Sequence, residues 1–237
     1  MTANTIANGN SSLSIEPSKL NLYRPEIDGL RAFAVIAVII NHFNKSILPG
    51  GYLGVDIFFV ISGYVITSSL SARPSKDFKD FISAFYERRV KRLVPALSVF
   101  ILIISIVISL FDISPIFSLK TGLYSLFGLS NLYLLKESTD YFAQSTELNV
   151  FTHTWSLAVE EQFYLIFPIL AWLSGFSRKS KNGATNLFLL VGILTITSLI
   201  VFISLYPTNQ PAAYFLMPSR FWEMATGCLV FILLKKQ

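Results

Sequence analysis

Residues 28–42 read DGLRAFAVIAVIINH, an apolar helix-forming stretch with an arginine near its start and a histidine at its end. Arg31 and His42 are eleven residues apart, and eleven helical steps of about 100° come within about 20° of three full turns. The two side chains therefore share one helix face, about 16 Å apart along the axis. Charged and titratable groups are costly in a membrane span, so the pattern favours a membrane enzyme or transporter over a simple anchor.

The composition of the whole chain predicts an all-α, polytopic transmembrane helical bundle. Of the 237 residues, 53% are hydrophobic and only 14% are charged, and the mean hydropathy is +0.58. Several apolar runs approach the length needed to cross a bilayer core of about 30 Å. The six predicted full spans are Leu30–Ile47, Leu53–Leu70, Leu93–Phe111, Trp155–Leu173, Leu187–Leu205 and Ser219–Leu234.

The chain divides into a polar tail and a membrane domain. Residues 1–22 are rich in Ser, Asn and Thr and lack the apolar core of a signal peptide, so we predict a disordered cytoplasmic tail there. Residues 23–237 form the predicted membrane domain. Within it, the glycine-containing segments 50–54 and 61–64 predict close helix packing, because small residues let backbones approach each other in lipid.

The distribution of basic residues predicts the orientation of the bundle. The loop 73–92 contains seven lysines and arginines, whereas the loop between the first two spans contains only Lys45. Because basic loops remain in the cytoplasm, we predict that the N-terminus and loop 73–92 lie inside. The basic segments 178–181 and 235–236 can share that side only if the weaker segment 120–135 does not cross. We therefore predict a short re-entrant or interfacial segment at 120–135; the alternative is a seventh full span.

Polar groups from four predicted spans fall in the middle and outer part of the membrane. They are His42, Asp56, the pair Glu160 and Glu161, and the pair Arg220 and Glu223. Unpaired burial of such groups would cost on the order of several kcal/mol each, so we expect them to pair or to line a wet cavity. The alternative is a set of stabilising ion pairs without chemistry.

The chemistry predicted for this set centres on His42. The unperturbed pKa of histidine lies near neutrality, which suits a neutral imidazole to general-base catalysis. The alternative is a structural histidine that binds a neighbouring helix. His153 lies beside Trp155 near the outer interface, where membrane anchoring or substrate contact would fit. Two histidines and the single Cys228 are too few for a metal site, and the net charge of +5 reflects orientation rather than nucleic-acid binding.

The basic cluster Arg88, Arg89 and Arg92 has two interpretations. It is a topology signal that holds its loop inside. It is also a candidate phosphate site, because Arg89 and Arg92 are three residues apart and share a helix face. Guanidinium groups bind phosphates through forked hydrogen bonds, and coenzyme A carries a pyrophosphate and a 3′-phosphate.

Five motifs in this sequence, in the same order, resemble those of the membrane acyltransferase family 3. The resemblance covers nearly all of residues 23–234. The motif sequences are closest to those of members that modify bacterial O-antigens and related surface glycans. The motifs are YRPEIDGLR at 23–31 with His42, GYLGVDIFFVISGY at 51–64, FYERR at 85–89 with Arg92 and Pro95, HTWSLAVEEQFY at 153–164, and PSRFWE at 218–223 with Gly227.

The resemblance implies that an acyl group, usually acetyl, moves from acyl-CoA to a sugar hydroxyl at the bacterial inner membrane. It implies that His42 is the essential histidine, paired in its motif with Arg31. It further implies that Arg89 and Arg92 bind the donor at the cytoplasmic face, and that Glu160 and Glu161 are functionally important acids. Acyl-CoA would be a donor substrate, with no permanently bound cofactor.

Together these observations predict a membrane O-acyltransferase. His42 would deprotonate the acceptor hydroxyl, with Glu161 or Asp56 orienting the imidazole as carboxylates do in other acyl-transfer sites. Arg88 would join the donor-binding group. The residues expected to contact the glycan or lipid-linked sugar are Glu160, His153, Arg220 and Glu223.

Two rival interpretations stay open. A transporter or flippase of lipid-linked sugars would use the same buried charges, and the interrupted segment 120–135 favours it. An inactive, truncated fragment is the other, because the family's membrane domain has more spans than this chain offers. The SGNH-hydrolase-like domain that often follows in such proteins is also expected to be absent from this chain.

Overall fold

The computed structural model describes residues 24–75, 77–138 and 149–236, and the regular elements in these ranges are all helical. The predicted all-α class is therefore confirmed for this part of the chain, whereas the predicted tail at 1–22 lies outside the described residues. The α-helices are α1 Pro25–Phe43, α2 Gly54–Ala72, α3 Phe78–Phe111, α4 Ile116–Leu126, α5 Ser130–Ser138, α6 Thr154–Leu173, α7 Gly183–Leu205, α8 Gln210–Phe215 and α9 Met217–Lys236, with a 3-10 turn at Gly51–Leu53.

Within the described residues, four helices are long and apolar enough to cross a membrane: α2 with its preceding turn, α3, α6 and α7. Helices α1 and α9 have 19 and 20 residues, which is long enough, but they carry charged residues that lower their hydropathy. The predicted count of six spans is therefore not confirmed, and the crossing of α1 and α9 stays a prediction. Helix α3 has 34 residues, about 51 Å, so it extends well beyond its predicted apolar run.

Helix α2 lies at the centre of the bundle, packed against α1, α6 and α9. It runs parallel to α9, because Asp56 pairs with Arg220 at one end and Ser71 accepts a hydrogen bond from Lys235 at the other. This parallel pairing places the polar ends of both helices on one side of the bundle.

Glycines allow α2 to approach its neighbours closely. A Cβ on Gly63 would lie 1.8 Å from the Met224 carbonyl oxygen of α9, and a Cβ on Gly54 would lie 2.4 Å from the Ala34 carbonyl oxygen of α1. No larger side chain fits at either position without moving a backbone. The predicted packing role of the segments 50–54 and 61–64 is confirmed.

The replacement Gly63→Ala should destabilise the bundle. Its methyl group would meet the Met224 backbone, and overpacking of this kind costs about 1–3 kcal/mol. The matched control is Gly192→Ala in α7, where nothing lies within 4 Å of the added Cβ. Thermal unfolding in detergent should show a lower midpoint for Gly63→Ala and an unchanged or slightly higher one for Gly192→Ala. Equal midpoints for the two variants would contradict the packing described.

Helices α4 and α5 form a helical hairpin that turns at Gly128, whose φ is +65°. The rings of Tyr124 and Tyr133, one on each arm, stack with centroids 4.6 Å apart. The turn reaches α6, where the Gln162 side chain donates a hydrogen bond to the Gly128 carbonyl at 3.0 Å. The arms have 11 and 9 residues, about 16 and 14 Å, so neither could cross a bilayer. This shape agrees with the predicted re-entrant segment rather than with a seventh span.

Basic residues from distant segments converge at one end of the bundle, which we call the basic end. Arg178 stacks over Trp172, at 5.3 Å from its centroid, and Trp172 also contacts Phe78 at the start of α3, with centroids 5.4 Å apart. Lys235 lies 5.8 Å from the centroid of Phe176. The predicted grouping of basic segments on one side is therefore confirmed, whereas the membrane face to which they belong stays a prediction.

Single cysteines should report this arrangement in intact cells. Arg73 and Lys181 at the basic end and Lys45 at the opposite end are all exposed. The only native cysteine, Cys228, is fully buried and should give little background labelling. We expect a membrane-impermeant maleimide to label Lys45→Cys from outside, but to label Arg73→Cys and Lys181→Cys only after permeabilisation. External labelling of Lys181→Cys would mean that the hairpin segment crosses the membrane.

Candidate functional site

His42 lies in the last turn of α1, at the end of the bundle opposite the basic end. Its Nδ1 lies 2.8 Å from the Val38 carbonyl oxygen one turn earlier. A carbonyl can only accept, so Nδ1–H donates, and in the neutral imidazole the lone pair then lies on Nε2. The tautomer is therefore the one that a general base needs. Asn41 holds the segment that follows α1 in place, because its side-chain amide donates a hydrogen bond to the Leu48 carbonyl oxygen at 2.8 Å.

His153 faces His42 from the residue just before α6. The two rings meet edge to face, with centroids 4.7 Å apart and planes at 81°. Both rings line a cavity of about 540 Å³, which we call the histidine cleft; its lining also includes Lys45, Tyr52, Ser156, Trp155 and Tyr214. Partial burial lowers the pKa of His153, and the neighbouring His42 lowers it further. The cleft thus favours a neutral His153 at neutral pH.

Histidine NMR should detect this coupling, since the chain contains only two histidines. We expect the pKa of His153 to lie below the usual value of about 6.5. In the variant His42→Gln the pKa of His153 should rise only part of the way back, because burial is the larger cause and remains. The same variant assigns the two signals. A pKa of His153 that does not respond to His42→Gln would contradict the ring contact.

Arg220 forms the centre of a buried charged cluster. It pairs with Asp56 of α2 and, at 2.9 Å, with Glu223 one turn later on α9. The side chains of Arg220 and Glu223 are 7% and 1% exposed, whereas that of Asp56 is 30% exposed. The guanidinium also lies within 6 Å of the ring centroids of Phe59, Trp155 and Tyr214. One cation is thus shared by two carboxyl groups inside an aromatic box, and only Asp56 faces outward.

Glu160 and Glu161 point to different partners although they are adjacent in α6. Glu160 is buried and accepts a hydrogen bond from the Tyr164 hydroxyl one turn later. Arg89 lies over the Tyr164 ring, 4.5 Å from its centroid, which links α3 to Glu160. Glu161 lies against the hairpin turn, where a Cβ on Gly128 would be 2.5 Å from its Oε2.

An apolar groove runs along α1, α2 and α6 beside the histidine cleft. It has a volume of about 230 Å³, and Glu160 supplies its only titratable group; other lining residues include Ala34, Phe58, Phe59 and Leu157. Val38, Val55 and Ser156 line both the groove and the histidine cleft. The two spaces are therefore neighbours along α1.

The structure separates several of the predicted site residues. Arg31 lies 4.0 Å from Asp28 and 5.8 Å from the Phe58 ring centroid, toward the basic end, so it does not share a pocket with His42. Of the two carboxylates predicted to orient the imidazole, Asp56 pairs with Arg220 and Glu161 lies against the hairpin turn, and the Val38 carbonyl orients His42 instead. Arg88 is half-buried and Arg92 is exposed on α3.

Sequence reasoning missed three contributors to the site. The Val38 carbonyl and the Tyr164 hydroxyl each form a hydrogen bond with a side chain four positions away. The i, i+4 spacing of a helix could therefore have predicted both contacts. Tyr214 had no such signal, because only tertiary packing places it beside Trp155, with ring centroids 4.4 Å apart. No group of three or more metal-ligating side chains occurs within residues 24–75, 77–138 and 149–236.

The chain is similar to known acyltransferases. The family model described as "Acyltransferase domain" matches residues 24–237. The O-acetyltransferase OatA of Staphylococcus aureus is 38% identical over 209 residues, covering 88% of this chain and 34% of that protein. The peptidoglycan O-acetyltransferase OatA of Listeria monocytogenes is 37% identical over 208 residues, covering 87% of this chain and 33% of that protein.

A third relative, the putative peptidoglycan O-acetyltransferase YrhL of Bacillus subtilis, is 35% identical over 209 residues, covering 87% of this chain and 32% of that protein. This chain therefore spans about a third of the length of the curated relatives it matches. No solved structure matches it significantly.

Proposed function

Because the chain belongs to the acyltransferase family whose domain model spans residues 24–237, we propose that it forms part of a membrane O-acetyltransferase. The reaction moves an acetyl group from acetyl-CoA to a hydroxyl of a cell-envelope glycan. The observation that carries this proposal is the geometry of His42, whose Nδ1–H is held by the Val38 carbonyl while Nε2 stays available as a base. Six spans and a cytoplasmic N-terminus complete the proposal.

The catalytic step needs only a base at the acceptor. Nε2 of His42 takes the hydroxyl proton as the oxygen forms a bond to the acetyl carbonyl carbon. The bond from that carbon to the sulfur of coenzyme A breaks, and the His42 imidazolium returns its proton to the sulfur, so that coenzyme A leaves as the thiol. His153 assists by contributing a second imidazole at ring contact distance. If an acetyl-enzyme forms instead, a side chain of the protein displaces coenzyme A in a first step and is itself displaced by the hydroxyl in a second, with His42 as the base for the hydroxyl.

The donor site is proposed at the arginines of α3, level with Tyr164 of α6. Arg88, Arg89 and Arg92 offer guanidinium groups for the phosphates of coenzyme A. Arg89 reaches the Tyr164 ring, and Tyr164 binds Glu160, which lines the apolar groove beside the histidine cleft. This series of contacts supports a route for the acetyl-carrying arm from the basic residues to His42.

The names of the relatives change the acceptor that we propose. The sequence motifs favoured an O-antigen, but two of the relatives described are named for peptidoglycan. We therefore propose a sugar hydroxyl of peptidoglycan as the first acceptor to test, with other surface glycans after it.

The transporter alternative has one observation in its favour, the hairpin α4–α5 that enters the bundle without crossing it. The two functions differ in what they consume. An acetyltransferase cleaves acetyl-CoA in proportion to the ester formed, whereas a flippase needs no acyl donor.

The replacement His42→Gln should abolish transfer in the longest natural form of the protein. Loss of a general base lowers the rate by about 100- to 10,000-fold. The assay is transfer of radiolabelled acetyl from acetyl-CoA to peptidoglycan in membranes. The control is Phe43→Leu at the next residue, which is 86% exposed and should keep its activity. Full transfer by His42→Gln would refute the assignment of the base.

A further inference from the structure

A second outer cavity, beside the histidine cleft, has the chemistry of a sugar-binding site. We propose that this cavity binds an uncharged sugar ring of the acceptor glycan and presents its hydroxyl to His42. The inference rests on the proposed function for the identity of the ligand. The cavity has a volume of about 580 Å³, and we call it the tyrosine cavity. Its size lies within the range of about 300–1,000 Å³ that is usual for small-molecule sites.

Aromatic rings form much of the wall. Tyr52, Tyr206, Tyr214, Phe202 and Phe215 come from the segment before α2, the end of α7 and the helix α8. Tyr52, Tyr206 and Tyr214 are 55%, 56% and 42% exposed, so their faces are available to a ligand. The C–H faces of a pyranose pack on aromatic rings, and tyrosine adds a hydroxyl for hydrogen bonding.

The polar groups of the cavity suit hydroxyl groups rather than an anion. Asp56 and Arg220 line the wall, with Glu223 behind Arg220. Two carboxyl groups share one guanidinium, so the cluster has no surplus positive charge for a phosphate. The partly exposed Asp56 carboxylate can accept from sugar hydroxyls, and hydrogen bonds to charged groups are the stronger kind. The Gln210 amide adds a donor and an acceptor.

The tyrosine cavity adjoins the histidine cleft. Tyr52, Val55, Tyr214 and Phe215 line both the tyrosine cavity and the histidine cleft. A sugar chain bound in the first can therefore extend into the second. The arginine-rich part of α3 lies elsewhere, beside Tyr164, which separates donor phosphates from the acceptor ring. The proposed assignment gives each substrate its own side of the bundle.

The test uses the full natural chain in detergent, with N-acetylglucosamine trisaccharide as the probe and titration calorimetry as the measurement. Tyr206→Ala removes an exposed ring that lines this cavity but not the histidine cleft, so the fold should survive. The matched control is Phe111→Ala, whose ring is 83% exposed at the end of α3. We expect Tyr206→Ala to weaken trisaccharide binding about three- to tenfold, the effect of one aromatic contact. Phe111→Ala should bind like the unmodified protein.

Kinetics provide the second readout. Tyr206→Ala should raise the KM for the acceptor by a similar factor and leave the KM for acetyl-CoA unchanged. Adenosine 3′,5′-bisphosphate, an anionic part of coenzyme A, should not displace the trisaccharide. The proposal is overturned if the unmodified protein does not bind the trisaccharide, if Tyr206→Ala binds it equally well, or if the bisphosphate competes with it.

The two proposals can fail separately. His42→Gln should retain trisaccharide binding while losing transfer. If His42→Gln keeps transfer and Tyr206→Ala still weakens trisaccharide binding, the assigned base is wrong and the sugar site stands. If transfer depends on His42 but neither binding nor the acceptor KM responds to Tyr206→Ala, the function stands and the sugar site is wrong.

Discussion

The ion pair between Arg220 and Asp56 joins the two parallel helices on which the rest of the bundle is assembled. Removal of one partner from a buried pair costs about 3–5 kcal/mol, because the remaining charge is stranded. Loss of Asp56 would leave Arg220 with Glu223 and the rings of Phe59, Trp155 and Tyr214, whereas loss of Arg220 would leave the Glu223 carboxyl buried without a cation. The pair therefore sets the register of α2 against α9 and, through the aromatic rings, the positions of α6 and α8.

Close backbone contact extends this register along the helices. Gly63 lies against Met224 in the same interface, so α2 cannot slide without a clash. With α2 placed, Gly54 lies against Ala34 of α1, and α1 in turn brings His42 to the mouth of the histidine cleft. The distance between the basic end and His42 thus follows from helix packing. In the proposed function, the donor arginines beside Tyr164 and the acceptor cleft at His42 then lie at different levels of one bundle.

The hairpin α4–α5 shows how far sequence reasoning extends. Basic-residue counting indicated that the segment around it should not cross, because two later basic segments had to share a side. It did not indicate that Gln162 would bind the turn at Gly128, or that Tyr124 would stack on Tyr133. Similarly, the site residues His42 and His153 were identified as separate polar groups. Their ring contact joins positions more than a hundred residues apart, and no local pattern carries that information.

The sequence alone determined the helical class, the grouping of basic segments and which polar groups are costly to bury in a membrane. Each of these follows from composition or from spacing within one helix. Only the tertiary structure decided which of those groups meet. Arg31 and His42 share a helix face, yet they belong to different pockets because 16 Å of axial rise separates them. Asp56 pairs with Arg220 rather than with His42, since the partner of a buried charge is chosen by the packing of whole helices.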